Sequence, residues 1–114
     1  MNYDSKIEVL NSNGFLVIAN NHGGAKLLGL AHFFRETDTN PNCWGARVDV
    51  KEKYTRNKIA TRLLQLGDEY IAKNYPHELR RFNDLNSFSY LIYTSLITDD
   101  QIVDYTENGL FFRP

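Results

Sequence analysis

The stretch that decides the fold runs from Val48 to Leu64 and reads VDVKEKYTRNKIATRLL. Its first part continues a segment, Trp44–Val50, in which every second residue is apolar, and that two-residue period is typical of a β-strand. After Tyr54 the apolar residues recur every three or four positions, which predicts a helix. We therefore expect a strand that passes through a basic loop into the N-terminus of a helix.

Upstream of this stretch, apolar runs separated by polar turns predict three further strands. Their approximate bounds are Ile7–Leu10, Phe15–Ala19 and Lys26–Arg35. The connecting residues Asn11–Gly14 and Asn20–Gly24 tolerate positive φ and suit tight turns, and Thr37–Asn42 reads as another polar loop. Four strands joined by such short loops predict an antiparallel meander.

Downstream, the helix must end before Pro76, because a residue that precedes proline disfavours the helical conformation. The residues from Pro76 to Ser89 show no clean period and read as a connector with a helical turn at His77–Phe82. The remaining predicted elements are a strand over Tyr90–Ile97, a helix that begins at the N-cap Thr98 and ends at the cap pair Asn108–Gly109, and a closing strand over Leu110–Phe112.

The predicted order is β-β-β-β-α-β-α-β, in which each helix links two strands. Such a strand–helix–strand unit usually forms a right-handed parallel crossover. The expected fold class is α/β or α+β, with a mixed, mostly antiparallel sheet of about six strands and helices packed on it. A chain of 114 residues fits one domain, and we expect residues 1–114 to form it.

Composition excludes several classes of protein. The chain has 13 Lys+Arg and 14 Asp+Glu, so it lacks the basic character of most nucleic-acid-binding domains. Cys43 is the only cysteine; it cannot form an intramolecular disulfide or a thiolate zinc site, and we expect no metal. No segment approaches the roughly 18 apolar residues of a membrane span, and the N-terminus lacks an apolar signal. We expect a soluble cytoplasmic protein.

The predicted strand-to-helix junction is the strongest candidate for chemistry. A helix N-terminus presents unpaired N–H groups and a partial positive charge, which suit phosphate oxygens. Arg56, Lys58 and Arg62 add positive charge, and Ala60 and Thr61 keep the first turn small. The alternative is an ordinary connection whose basic residues are solvated.

These residues resemble a known family. Tyr54–Leu64, YTRNKIATRLL, is similar to motif A of the GNAT superfamily of N-acetyltransferases, in which an aromatic residue precedes Arg/Gln-x-x-Gly-x-Gly/Ala and paired leucines. Thr55 falls on the Arg/Gln position, Lys58 on the first glycine and Ala60 on the Gly/Ala position. The resemblance implies that Val48 and Val50 hold the pantetheine arm of acetyl-CoA. The N–H groups implied to cradle its pyrophosphate are those of Arg56, Asn57, Lys58, Ile59, Ala60 and Thr61.

A second segment carries the same resemblance. Thr98–Leu110, TDDQIVDYTENGL, is similar to the family's Asn-x-x-Ala-x-x-x-Tyr-x-x-x-Gly-Phe. Thr98 takes the Asn position and is assigned to the cofactor site, and Tyr105 takes the Tyr position. The resemblance implies that Tyr105 protonates the leaving thiolate, which its ordinary pKa of about 10 permits. A core aromatic is the alternative for Tyr105.

Other charged groups complete the list of candidates. Asp49 is our choice for the base that deprotonates the acceptor amine, the alternative being a solvated carboxylate. Arg80 and Arg81 read as part of a solvated basic patch, and Cys43 as an inert thiol because nothing beside it favours a thiolate.

Together the two segments imply a small GNAT-like fold of βββαβαβ order with a minimal N-terminal region. The implied activity is direct transfer of an acetyl group from acetyl-CoA, a co-substrate, to an unidentified amine on a protein or small molecule. The alternative is a non-catalytic GNAT-like module that binds a partner protein, as phage or mobile-element inhibitors do; Lys58 and Thr55 favour it, and Phe88–Tyr93 could then be an interface. An unfinished sheet edge near Phe112 predicts a homodimer formed by strand exchange or strand pairing.

Overall fold

The computed structural model describes residues 3–36, 40–82, 95–107 and 109–114. Its strands are β1 (Tyr3–Asn11), β2 (Gly14–Asn21), β3 (Leu27–Glu36), β4 (Asn40–Val50), β5 (Leu79–Phe82), β6 (Ile102–Thr106) and β7 (Gly109–Phe112). Its helices include the long α1 (Ile59–Asn74) and the short 3-10 helices Glu52–Asn57 and Asp99–Gln101. None of the helices within these ranges has the length and apolar character that a membrane crossing requires.

The strands form a seven-stranded sheet in the order β1-β2-β3-β4-β5-β7-β6. The pairs β1–β2, β2–β3, β5–β7 and β6–β7 are antiparallel, whereas β4 and β5 are parallel. A parallel pair needs a crossover, and α1 provides it between β4 and β5. The predicted mixed, mostly antiparallel sheet is confirmed, with seven strands rather than about six. A short turn joins β1 to β2, in keeping with the predicted minimal N-terminal region.

The described chain divides into two compact units. The first consists of Met1–Phe34 and Ala46–Gly67. In this unit α1 lies so close to β3 that a Cβ built on Gly67 would fall 2.0 Å from Cζ of Phe33, and Phe33 stacks on Phe15 with ring centroids 4.9 Å apart. The other buried side chains of this unit are Val17, Ala19, Leu28, Ala31, Tyr54, Ile59, Leu63 and Leu64. This core is apolar, as the alternation in β2 and the stripe on α1 predict.

The second unit consists of Arg35–Gly45 and Asp68–Pro114, and its core contains an ion pair. Arg80 is 1% exposed, and its Nε donates to Oδ1 of Asp68 at 2.6 Å. Its Nη1 donates to the backbone oxygens of Trp44 and Arg81 at 3.3 and 3.0 Å. The apolar side chains buried in this unit are Cys43, Trp44, Ile71, Phe82, Leu110 and Phe112. The prediction that Arg80 is a solvated surface residue is wrong.

A second group of polar contacts surrounds Arg35 in the same unit. The guanidinium of Arg35 lies 4.6 Å from the ring centroid of Trp44 and 4.8 Å from that of Tyr75, and it pairs with the carboxylate of Glu78. Trp44 donates from Nε1 to Oε2 of the same carboxylate at 2.5 Å. Because Glu78 comes immediately before β5, these contacts fix where that strand begins.

The predicted helix from Thr98 to the Asn108–Gly109 cap is wrong. The chain forms only a 3-10 turn over Asp99–Gln101 and continues as β6, which pairs with β7. The β-branched Ile102 and Val103 favour an extended chain, and Gly109, with φ of 124°, opens the returning strand instead of ending a helix. A sequence of Asn-Gly type serves hairpin turns as readily as helix caps.

Three further predictions concern the type or bounds of single elements. The helical turn at His77–Phe82 is wrong because Leu79–Phe82 form β5. The loop predicted over 37–42 is shorter than expected, since β4 begins at Asn40. Most of the strand predicted over Tyr90–Ile97, and the whole of Phe88–Tyr93, lie outside the described residues; Ser95 and Leu96, which are described, are helical.

The predicted sheet edge near Phe112 is also wrong. Phe112 lies on β7, which pairs with β5 through Arg80 and with β6 through Ile102. Both sides of β7 are therefore occupied. Among the strands that the structure describes, β1 and β6 end the sheet.

Candidate functional site

The candidate site is the junction between β4 and α1, and it begins where β4 is held firmly against β3. The N–H of Lys51 donates to the carbonyl of Leu28 at 3.0 Å. A Cβ on Gly29 would lie 3.0 Å from the carbonyl oxygen of Asp49 and 3.0 Å from Cγ2 of Val50. A glycine at position 29 thus allows the end of β4 to lie close to β3, which fixes the point from which the junction departs.

The chain then turns through the 3-10 helix, which begins as the N–H of Tyr54 donates to the carbonyl of Lys51 at 2.8 Å. Lys58 follows in the left-handed conformation, with φ 57° and ψ 24°. Among the described residues, Lys58 alone combines a side chain with positive φ; this conformation costs a non-glycine residue about 1 kcal/mol or more. The GNAT motif has a glycine at the position of Lys58. Glycine adopts this left-handed conformation without the cost that a side chain adds.

The first turn of α1 presents main-chain donors. The N–H of Arg62 donates to the carbonyl of Lys58 at 3.2 Å, so the N–H groups of Ile59, Ala60 and Thr61 precede the helical hydrogen-bond ladder. The side chain of Ile59 is fully buried and anchors this turn in the first unit. Three N–H groups at the positive end of a helix dipole form an arrangement suited to an anion.

A depression of about 480 Å³ opens beside this turn. It is lined by Tyr3, Ser5, Lys58, Thr61, Arg62 and Gln65. The side chains of Lys58 and Arg62 are exposed, and Nη1 of Arg62 donates to Oε1 of Gln65 at 2.9 Å, which orients the guanidinium. Two cations in a polar, solvent-open depression suit a charged ligand better than an apolar one.

A basic cluster that the sequence does not predict surrounds Tyr54. The Tyr54 ring is buried, with Nζ of Lys26 6.0 Å and Nζ of Lys53 5.2 Å from its centroid. A hydrogen bond with Lys26 lowers the pKa of the Tyr54 phenol below its ordinary value, although burial acts in the opposite direction. Lys53 could be seen as part of the basic loop, but nothing in the sequence places Lys26, on the β2–β3 connection, beside it.

The first unit contains most of the predicted site residues. Val48 and Val50 are half-buried and Asp49 is exposed, as the alternation along β4 predicts. Ala60 and Thr61 are half-buried in the first turn of α1. Arg56 and Asn57 belong to the 3-10 helix by their backbone; their side chains, like that of Thr55, lie outside what the structure describes.

Tyr105 and Thr98 belong to the second unit. Tyr105 is 63% exposed on β6, opposite Leu110 of β7, rather than on a helix. Thr98 is exposed and precedes the 3-10 turn, where its N–H donates to Oε1 of Gln101 at 2.8 Å and its carbonyl accepts from the N–H of Gln101 at 3.0 Å. The candidate residues therefore divide between the two units.

Comparison with solved structures identifies the fold. The chain is similar to a GCN5-related N-acetyltransferase from Kribbella flavida, with a TM-score of 0.67 and 14% identity over 91% of this chain and 67% of that one. It is also similar to ribosomal-protein-S5-alanine acetyltransferase from Vibrio fischeri, with a TM-score of 0.59 and 11% identity over 87% of this chain and 60% of that one. No protein-family model matches the sequence, and no curated protein does.

These likenesses show that the chain has the GNAT-superfamily fold. The fold expected from the resemblance of Tyr54–Leu64 and Thr98–Leu110 is confirmed. At 14% and 11% identity the likeness concerns architecture alone, since one fold can support several functions. The chain spans about two thirds of the length of one of these structures and 60% of the other.

Proposed function

We propose that this chain binds acetyl-CoA at the β4–α1 junction and transfers the acetyl group directly to an amine. The observation that carries this proposal is the first turn of α1, where the N–H groups of Ile59, Ala60 and Thr61 lie next to the exposed cations Lys58 and Arg62. The GNAT-superfamily fold supports it, because the two similar structures are acetyltransferases by name.

The negatively charged pyrophosphate of CoA matches this turn. Its oxygens would accept from the N–H groups of the junction, including those of Arg56 and Asn57, and its charge would be offset by Lys58 and Arg62. The main chain of β4 at Val48 and Val50 would hold the amides of pantetheine, and we also assign Thr98 to cofactor binding.

The reaction itself is a nucleophilic acyl transfer. Asp49 would take a proton from the acceptor ammonium, and the free amine nitrogen would then attack the thioester carbonyl carbon. As the carbon–nitrogen bond forms the carbon–sulfur bond breaks, and the phenol of Tyr105 would give its proton to the departing thiolate. The second proton of the attacking nitrogen would then pass to the Tyr105 phenolate, directly or through water, which leaves a neutral amide and restores the phenol. Tyr105 is a hydroxyl-bearing side chain exposed on β6, so its phenol is accessible to a ligand.

Isothermal titration with acetyl-CoA, CoA and pantetheine tests the binding. We expect acetyl-CoA and CoA to bind and pantetheine, which lacks the pyrophosphate, to bind at least about tenfold more weakly. Absence of heat with about 1 mM acetyl-CoA would overturn the proposal. Lys73, exposed on the last turn of α1, supplies a matched control: Lys73→Gln should leave the affinity unchanged.

Lys58→Gly shows what the lysine contributes, because glycine adopts the same φ without the side chain. If Lys58 contacts a phosphate, the substitution weakens CoA binding by about threefold to tenfold, the range of one charge-assisted contact. An increase in affinity would mean that the lysine side chain obstructs the N–H groups.

Turnover tests the chemical roles separately from binding. Release of the CoA thiol in the presence of a panel of amines and peptides should fall at least about a hundredfold in Tyr105→Phe, with little change in acetyl-CoA affinity. Asp49→Asn should lower turnover, most strongly below the pKa of the acceptor amine. An unchanged rate in either variant would remove the role that we propose for that residue.

The second candidate is a GNAT-like module that binds a partner protein without catalysis. It is favoured by Lys58, whose side chain stands at a position of the turn where the GNAT motif has glycine. The titration distinguishes the candidates, because a module that has lost the cofactor site would not bind acetyl-CoA.

Two further proposals concern the enzyme as a whole. We propose that it acts in the cytoplasm, where acetyl-CoA is available. We also propose a single domain over residues 1–114, because both units include parts of β3 and β4.

A further inference from the structure

Within the part of the chain that the structure describes, β1 is an end strand of the sheet and its outer edge is unpaired. It pairs with β2 on its other side, from Tyr3 opposite Asn21 to Val9 opposite Phe15. All its residues from Asp4 to Asn11 are exposed, and they include apolar side chains: Ile7 is 38% and Val9 57% exposed. A nine-residue strand with an open edge and apolar side chains is a template for pairing with another strand.

The charges on β1 select a partner. Moving along the strand, Asp4, Lys6 and Glu8 alternate with Ser5, Ile7 and Val9. In an antiparallel pair only every second residue directs its N–H and carbonyl to the open edge. A second copy of β1 can therefore pair only in registers in which odd-numbered residues face odd-numbered residues and even-numbered residues face even-numbered ones. Few registers meet this condition.

Those registers differ in their electrostatics. A two-fold pairing centred on Lys6 sets Lys6 opposite itself and Asp4 opposite Glu8, and one centred on Glu8 sets Glu8 opposite itself. Like charges directly opposite one another destabilise a sheet. A pairing centred on Ile7 sets Lys6 of each copy opposite Glu8 of the other, so that two ion pairs flank an Ile7–Ile7 contact.

A pairing centred on Ser5 also avoids like charges, because it sets Asp4 opposite Lys6. It leaves the exposed Val9 uncovered, whereas the pairing centred on Ile7 includes Ser5–Val9, up to the irregularity that follows Val9. The Ile7 register is therefore the one that forms ion pairs and includes both Ile7 and Val9 in the paired segment. The third exposed apolar side chain of β1, Leu10, lies at the irregularity that follows Val9 and faces Asp4.

We propose that two copies of this chain associate through β1 about a two-fold axis at Ile7, forming one continuous sheet. In this arrangement Val9 of the second copy lies opposite Ser5, one of the residues that line the depression beside α1. The second copy thus lies next to a residue of the depression. The other end strand, β6, takes no part.

Sedimentation velocity over a range of concentrations tests this dimer. The unmodified chain should associate, and either Lys6→Glu or Glu8→Lys alone should raise the dimer dissociation constant at least about tenfold, because each sets two pairs of like charges opposite one another. The double variant Lys6→Glu with Glu8→Lys exchanges the signs and should restore association. Lys73→Glu makes the same change of charge on α1 and should have no effect.

The two single variants provide a stricter test when mixed. Each repels its own copies, but Lys6→Glu in one copy faces Glu8→Lys in the other with opposite charge at both positions. We expect a heterodimer in the mixture at concentrations at which each variant alone is mostly monomeric. A chain that stays monomeric at about 1 mM, or single variants that associate as well as the unmodified chain, would overturn the proposal. Circular dichroism of each variant excludes loss of fold as the cause.

Cross-linking fixes the register. Ile7→Cys places two thiols directly opposite one another, within the Cα separation that a disulfide requires, so mild oxidation should give a covalent dimer. Val9→Cys separates the two thiols by four residues along the strands, about 13 Å, and should not cross-link. The native Cys43 is buried and does not compete. Preferential cross-linking through Val9→Cys would contradict the Ile7 register.

Discussion

The two units of this chain use different means to build their cores. In the first unit, apolar side chains fill the interior around the Phe15–Phe33 stack, and the polar chemistry lies at the surface, on the main chain of the first turn of α1. In the second unit, a buried arginine and a buried aspartate lie among aromatic side chains. Because the interior of the first unit is apolar, its groups for binding a ligand are main-chain N–H groups and side chains at the surface. In the second unit the charged side chains of the interior stabilise the fold.

The free-energy cost of burying these charges in the second unit is offset, because the buried polar atoms that the structure describes there all have hydrogen-bond partners. Arg80 contacts Asp68, two backbone oxygens and, at 5.4 Å, the ring of Phe112. Burial raises the pKa of the Asp68 carboxyl, and the guanidinium of Arg80 opposes that rise. Within the described residues no buried side-chain nitrogen or oxygen lacks a hydrogen-bond partner, as a charged interior requires.

The largest effect is expected from Arg80→Ala. It leaves the Asp68 carboxylate buried without its partner, and we expect the free energy of unfolding to fall by about 3–5 kcal/mol in urea denaturation. The neighbouring Arg81→Ala is the control, because the Arg81 side chain is 22% exposed in its pair with Glu36 and its loss should cost less than the loss of the fully buried Arg80. Equal losses would mean that the second unit does not depend on its buried ion pair.

Gly67→Ala tests the packing of the first unit. The new methyl group would fall 2.0 Å from the Phe33 ring, and we expect a loss of about 1–3 kcal/mol despite the better helix propensity of alanine. Combining it with Phe33→Leu should recover part of the loss, which would localise the clash. Gln65→Ala, exposed on the same helix, should change stability by less than about 0.5 kcal/mol. A neutral Gly67→Ala would show that the helix is free to shift from the sheet.

Cys43 provides a pH test of the second unit. Burial raises the pKa of its thiol to about 11, above the ordinary value, so the folded chain holds this proton more tightly than the unfolded chain. The thiol therefore has no effect on stability below about pH 9, and it lowers stability as the pH rises from 9 towards 11, by about 1 kcal/mol at pH 10. Thermal unfolding of the unmodified chain and of Cys43→Ala at each pH isolates this contribution. Parallel profiles for the two chains would contradict it.

The smallest effect is expected from Lys58→Gly on stability. Glycine removes the cost of a side chain at φ 57° but loses more conformational freedom on folding, so the net gain should be at most about 1 kcal/mol. Lys58→Ala removes the same charge and keeps a Cβ, and it should give no gain. If alanine stabilised the chain as much as glycine, the charge of Lys58 and not its conformation would be the source of the cost.

The sequence predicts the first unit better than the second, and the reason is physical. Alternation in β2, β3 and β4 and the apolar stripe of α1 record which side chains face a core, so the strands, the helix and the basic junction could all be found from the residues. Lys58 was recognised as the residue on the glycine position. The contact between Lys26 and Tyr54 could not be predicted from the sequence, because it depends on the position of the β2–β3 turn in the folded chain.

The core of the second unit cannot be recognised from such patterns of apolar residues. Arg80 and Asp68 look like solvated charges in the sequence, and the apolar period that would reveal β5 is too short at Leu79–Phe82 to separate a strand from a turn. Thr98, Asp99 and Asp100 favour a helix start locally, yet the pairing of β6 with β7 overrides that preference. Tyr105 was singled out by resemblance alone, and its place on a strand could not be anticipated from a motif that the family carries on a helix.

The interleaving of the two units has a consequence for synthesis on the ribosome. The first unit has all its residues once Gly67 has been made, but β4 acquires its partner β5 only after Phe82, and β7 is finished only at Phe112. The 45 residues from Asp68 to Phe112 take roughly 2–9 s to translate at about 5–20 residues per second. During that interval Cys43 and Trp44 have no finished unit to enter. This part of β4 therefore stays without its partner strand and without its core until synthesis is nearly complete, and slower translation beyond Gly67 lengthens that period.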